Sequence, residues 1–221
     1  MKHSFHACLA TLAFLATSFA FAEDKPSALP GVIPSISYKK GGEGVGYHDT
    51  TKGYGPFPKG HGGQAWKRND DVEIDWAFWD KSADGAQDKT HWAKGQGGSV
   101  GANGGGDFAV WFDATEWLAF DVAVEKEAEF VIALRVAYGG NAQPAPVFHL
   151  ELDGKKFGGD LTLPAGTTNN KEFSNTWHHF YDVTVAPVKI SVGTHVLKVV
   201  CDVTGKDGAP QLHYVEVKPK P

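Results

Sequence analysis

Sulfur is scarce in this chain, with two cysteines and one methionine in 221 residues. Cys8 belongs to the N-terminal stretch and lies well ahead of any cleavage point, which argues against a lipid-anchored cysteine. Cys201 is then alone, so no disulfide can form within the mature chain and stability has to come from a buried core. Cys201 alternates with apolar neighbours and reads as a small core residue rather than a reactive thiol. Basic residues are also in short supply, 21 Lys and Arg against 26 Asp and Glu for a net charge of −5, and they form no stripe. Nucleic acid is therefore excluded as a partner. No apolar run reaches the length of a membrane span; the run from about Ala7 to Phe21 is too short, and nothing later approaches it. Neither glycine-rich run sits between a strand and a helix with a phosphate-binding fingerprint, and no nucleophile-elbow motif occurs. Zinc-like spacing is missing too: His178-His179 and His48-Asp49 are adjacent pairs, which a strand points to opposite faces. No metal site is expected.

What the chain does have begins with a leader. Lys2, the apolar run and Ala20-Phe21-Ala22 before Glu23 read as a secretory signal peptide over residues 1–22, for a secreted or periplasmic destination. Residues 23–31 form a polar lead-in. From residue 32 to 218 short strands alternate with turns rich in glycine; the whole chain has 27 glycines. Val32 to Tyr38 is interrupted by Pro34 and is at best an edge strand. In Trp117 to Val122, Leu118, Phe120 and Val122 point one way and Trp117, Ala119 and Asp121 the other. Phe130, Ile132, Leu134, Val136 and Tyr138 share one face, as do Phe148, Leu150 and Leu152 before the turn Asp153-Gly154. Leu161–Leu163, Trp177–Val185, Thr194–Val203 and Gln211–Val217 complete the strand signals, with no convincing helix. The fold class is all-β: two packed antiparallel sheets, a β-sandwich of jelly-roll type in one domain. A Gly- and Trp-rich insertion without period, at about 76–106, interrupts it and is functional or mobile.

Three kinds of chemistry fit this pattern. Asp113, Glu116, Glu151 and Asp182 could form a carboxylate pair, which would make the chain a small polysaccharide hydrolase or lyase; solvated strand acids are the plainer reading. Trp76, Trp79 and Trp92 could form a patch for protein contacts, as in an adhesion or structural module. Trp66, just after Gly62-Gly63, and Trp177, at a loop–strand junction, could offer flat apolar faces to a sugar ring, with polar groups fixing its orientation. The plainer reading of each tryptophan is core.

Four segments resemble a known family, the family 6 carbohydrate-binding modules. Gly42-Glu43-Gly44-Val45-Gly46-Tyr47-His48-Asp49-Thr50 is similar to its opening Gly-Glu-Gly-Val-x-Tyr-x-Asp-Thr. Gly62-Gly63, Trp66-Lys67 and Asp71-Val72-Glu73-Ile74 are similar to its Gly-Gly-x-Tyr-Arg and Val-Asp-Ile. Trp111, Ala114, Glu116, Trp117 and Leu118 are similar to its Gly-Trp-x-x-x-Gly-Glu-Trp-Leu, with Thr115 in place of the second Gly, a mild change. Gly193-Thr194-His195 and Gln211-Leu212-His213-Tyr214-Val215-Glu216 are similar to its closing motifs. The resemblance implies a non-catalytic jelly roll that binds a polysaccharide or oligosaccharide as a monomer. It implies that Trp66 and Trp177 pinch a sugar, that Gln211 stands where an amide hydrogen-bonds it, and that Glu43 accepts sugar hydroxyls. It places Glu116, Trp117 and Leu118 in the strand framework and leaves Trp111 open between core and rim. It also implies that the family's structural calcium is lost and no cofactor is needed: Ile33-Pro34-Ser35-Ile36 and His213 stand where oxygen ligands would be required.

Overall fold

The computed structural model describes residues 25–51, 72, 74–76, 108–140, 142–164 and 180–221. In chain order its strands are β1 (Ser27–Leu29), β2 (Gly31–Pro34), β3 (Tyr47–His48), β4 (Ile74–Trp76), β5 (Phe108–Trp111), β6 (Trp117–Val124), β7 (Ala128–Ala137), β8 (Val147–Leu152), β9 (Lys155–Thr162), β10 (Tyr181–Thr184), β11 (Val188–Ile190), β12 (Gly193–Val203) and β13 (Gln211–Pro219). A 3-10 turn at Ser35–Ser37 is the one helical element among them. Among the described residues no helix is long and apolar enough to cross a membrane.

The strands form two sheets. One runs β1-β6-β12-β8-β9, with β3 also on β6; the other runs β10-β7-β13-β5-β4, with β11 also on β7 and β2 on β13. Every pairing is antiparallel except β1 on β6. The expected period of two builds the core between them. Leu118, Phe120, Val122 and Val124 of β6 face Phe130, Ile132, Leu134 and Val136 of β7, all at most 3% exposed. Burial of each such side chain contributes about 1.5–3 kcal/mol. Cys201 is one of this core. The chain is therefore an all-β antiparallel sandwich, as its pattern predicts.

Several strands lie where the sequence shows none, among them β1, β3, β5 and β11. Ser27–Leu29 falls in the lead-in, yet it pairs with Val122–Val124 and buries Leu29. The strand expected at Leu161–Leu163 begins earlier, at Lys155. Its first six residues are exposed apart from a half-buried Phe157, and Gly158 and Gly159 have φ of 72° and 80°. An edge strand with so little apolar alternation gives no period to read. Pro34 ends the edge strand β2, opposite Tyr214, as expected. The expected strand Trp177–Val185 begins at Tyr181 within the described residues; residues 177–179, with His178-His179, lie outside them.

In β13 the register shifts between Leu212 and Tyr214, so His213 is the extra residue of a β-bulge. The bulge resets the alternation. Leu212 faces the core with Val215 and Val217, while Gln211 pairs with Trp111 and Ala137 on the outer face of its sheet.

Candidate functional site

Strand ends define a loop-bearing end of the sandwich. β3 finishes there at His48 and β4 begins there at Ile74. β5 leaves it through Trp111 and β6 returns through Trp117. β9 ends there at Thr162, and β10 resumes at Tyr181 beside Val136; β12 leaves and β13 returns at Gln211. The described residues that flank the segments carrying Trp66 and Trp177 lie at this end. Trp66 and Trp177 themselves lie outside the described residues, as do Trp79 and Trp92.

A hydrogen-bonded frame ties the end together. Glu43 sits in a tight turn in which the amides of Val45 and Gly46 donate to Gly42 O at 3.1 and 2.9 Å. Its carboxylate is exposed but held at both oxygens. His48 Nδ1 donates to Oε1 at 2.5 Å, since a carboxylate oxygen can only accept, and the Asp49 amide donates to Oε2 at 3.0 Å. The Thr51 amide and hydroxyl bond Asp49 Oδ1 at 2.8 and 3.1 Å and stiffen the same loop.

One residue further, Thr50 joins this loop to Glu116, which is only 3% exposed. The Thr50 amide and hydroxyl donate to Glu116 Oε1 at 2.8 and 2.7 Å, and the Asp113 amide donates to Oε2 at 2.7 Å. Glu116 is a structural clasp, as its place in the framework motif implies. The Phe112 amide bonds Pro210 O at 3.0 Å, which carries the frame to the residue before Gln211. On the far side the Asp207 carboxylate accepts the Ala142 amide at 2.8 Å, and the Lys206 amide bonds Pro144 O at 3.1 Å.

Asp113 to Glu116 is itself a β-turn, closed by the Glu116 amide on Asp113 O at 3.2 Å. Thr115 is its third residue and has φ of 76°. Ala114 is not in the positive-φ region, so the turn is type II, which calls for glycine or asparagine at that position. A β-branched residue there is strained by about 1–2 kcal/mol. Thr115 for glycine is therefore not the mild change it resembles in the motif.

Gln211 is fully buried, between Trp111 and Ala137. Beside it Ala109, Ala137 and Phe180 form a second small apolar cluster apart from the main core. Trp111 is half-buried at the edge of this group. Glu43 therefore presents a surface group and Gln211 does not.

Asp182 and Glu151, two of the remaining candidate acids, lie on the outer faces of different sheets. Asp182 pairs with Arg135 at 3.2 Å on the outer face of the β7 sheet. Glu151 lies on the outer face of the other sheet, 3.4 Å from His149 and 3.5 Å from Lys198. Glu116 is inside. Among the described residues no group of three His, Cys, Asp or Glu side chains is arranged to hold a metal. At the calcium positions of the resembling family, Ile33 and Ile36 are core residues and His213 is the bulge, its ring against Phe180 and Tyr214.

No protein-family model matches the chain. No curated protein matches it in sequence. Solved structures similar to it include one from Clostridium stercorarium in complex with cellobiose, at 10% identity and TM-score 0.47, covering 89% of this chain and 99% of that one. Another is from Cellvibrio mixtus lichenase 5A in complex with cellotriose, at 19% identity and TM-score 0.40, covering 58% and 89%. A third is a β-1,3-glucan-binding protein of Bacillus halodurans, at 19% identity and TM-score 0.40, covering 52% and 78%. All three are family 6 carbohydrate-binding modules. Sequence motifs missed one part of the site that the structure supplies, the Asp207 and Lys206 contacts that brace the last loop. Only a Gly-rich turn, Gly205-Lys206-Asp207-Gly208, hinted at them.

Proposed function

We propose that the protein is a secreted or periplasmic, non-catalytic carbohydrate-binding protein that holds a polysaccharide or oligosaccharide at the loop-bearing end of the sandwich and acts as a monomer. Trp66 and Trp177 stack on the apolar faces of sugar rings and Glu43 accepts hydroxyls at the surface, while Gln211, fully buried beside Trp111, supports the site from beneath and is not itself a ligand contact. The observation that carries the reading is the Glu43 carboxylate. It is exposed, held at both oxygens, and set at the loop-bearing end, where the described residues flanking the segments of Trp66 and Trp177 also lie. Preorganised polar groups beside aromatic platforms hold polyhydroxylated ligands at low ordering cost. A single site of this kind binds weakly, and attachment to a multivalent surface adds avidity. Titration of oligosaccharides against the wild type and Trp177→Ala tests it. The expected result is binding that Trp177→Ala abolishes or weakens at least tenfold. Equal binding by both, or none to any plant, algal or microbial glycan, sinks the reading.

A further inference from the structure

Thr115 stands out at the same end for a reason unconnected with the tryptophans. Its backbone is locked on both sides. The Thr115 amide donates to Cys201 O at 2.7 Å, the next residue's amide closes the turn, and the Glu116 carboxylate grips the Asp113 amide. The turn gains nothing from a side chain at this position, and glycine would fit it without strain. The side chain is exposed, and among the described residues its hydroxyl makes no hydrogen bond. The turn lies between the Asp49–Thr51 loop, to which Glu116 is bonded, and the loop ending at Pro210, to which Phe112 is bonded. An exposed hydroxyl on a strained, hydrogen-bonded turn at the loop-bearing end is the kind of feature that local strain marks.

We infer that the Thr115 hydroxyl is a ligand contact: it hydrogen-bonds a sugar hydroxyl and helps set which glycan is accepted. This rests on the carbohydrate-binding reading. Backbone strain is retained here because it points one hydroxyl in a fixed direction. The hydroxyl both donates and accepts, so it pairs with a sugar hydroxyl of either polarity.

The test uses an array of plant, algal and microbial oligosaccharides to find the strongest binder of the full-length secreted protein, followed by titration of that glycan. Thr115→Val keeps the β-branched shape and the strain and removes only the hydroxyl; the expected outcome is an unchanged unfolding midpoint with affinity about three- to tenfold weaker. Thr115→Ser keeps affinity within about twofold. Thr115→Gly raises the midpoint yet loses affinity as Val does. Wild-type affinity in both the Val and Gly variants overturns the inference while leaving the function intact. Absence of binding by the wild type to the whole array removes the parent reading and the inference with it.

Discussion

Replacing Glu116 with glutamine removes one charge and changes one acceptor into a donor without altering the shape. The carboxylate accepts three hydrogen bonds, two from Thr50 at Oε1 and one from the Asp113 amide at Oε2. Glutamine has one oxygen. If it faces Thr50, its NH2 group meets the Asp113 N–H, donor against donor; if it flips, the NH2 group meets the Thr50 N–H. Either way a backbone donor next to a side chain only 3% exposed is left without an acceptor. An orphaned buried donor costs about 1–3 kcal/mol, and the surviving bonds lose the extra strength that a charged partner gives. The sum is about 2–4 kcal/mol, or about 5–15 °C in unfolding midpoint for a chain of this size. Thermal unfolding followed by tryptophan fluorescence or circular dichroism reads it. Glu151→Gln is the control: Glu151 is partly exposed and paired with His149 and Lys198, and its loss is expected to cost under about 1 kcal/mol. A midpoint for Glu116→Gln no lower than that for Glu151→Gln refutes the clasp.

Three further outcomes follow from the same structure. A Cβ on Gly158, where φ is 72°, would fall on Val185 Cγ1, so Gly158→Ala is expected to destabilise by about 2–4 kcal/mol, with partial recovery in the Gly158→Ala, Val185→Ala double variant by chemical denaturation. Burial pushes the Cys201 thiol up to about 12, and the nearby Glu116, Asp202 and Asp113 charges add to it; the native protein at pH 8 is expected to resist a thiol reagent that labels it fully in denaturant, and rapid native labelling contradicts the core assignment. His195 Nδ1 donates to Asp153 at 2.7 Å, and its Nε2 lies 3.0 Å from Ser191 O. The Asp153 bond raises the His195 pKa, and Asp153, despite burial, is held below its usual value by His195 and the Val196 amide. A raised histidine stabilises below its unfolded pKa and stops doing so as pH rises through its folded one; a lowered aspartate stabilises above its unfolded pKa and fails as pH falls. The pair therefore contributes most between about pH 4 and 6.5, by less than about 1 kcal/mol because the carboxylate is half exposed. Denaturant unfolding of wild type and His195→Gln at pH 5.5 and 8.5 checks it, and an equal difference at both pH values speaks against it.

The strands with apolar residues at every second position, β6, β7, β8 and β12, are legible because one face of each packs in the core. β1 is not, since three residues without period acquire meaning only from the β6 edge they join. β9 is hidden by exposure and by its two left-handed glycines. At the loop end, the framework role of Glu116 could be read from its motif. Two features could not. The strain at Thr115 depends on turn type, which residue names alone do not reveal, and the burial of Gln211 depends on a bulge two residues later that reverses which face it takes. Both are properties of backbone geometry.

The central claim is that the loop-bearing end holds a sugar through Trp66, Trp177 and Glu43. Isothermal titration of the strongest glycan from an array against wild type, Trp66→Ala, Trp177→Ala and Glu43→Gln tests it directly, with circular dichroism confirming the fold of each. The account predicts saturable binding by the wild type, loss or at least tenfold weakening with either tryptophan variant, and about three- to tenfold weakening with Glu43→Gln. Wild-type affinity in all three folded variants, or no heat with any glycan, would contradict it.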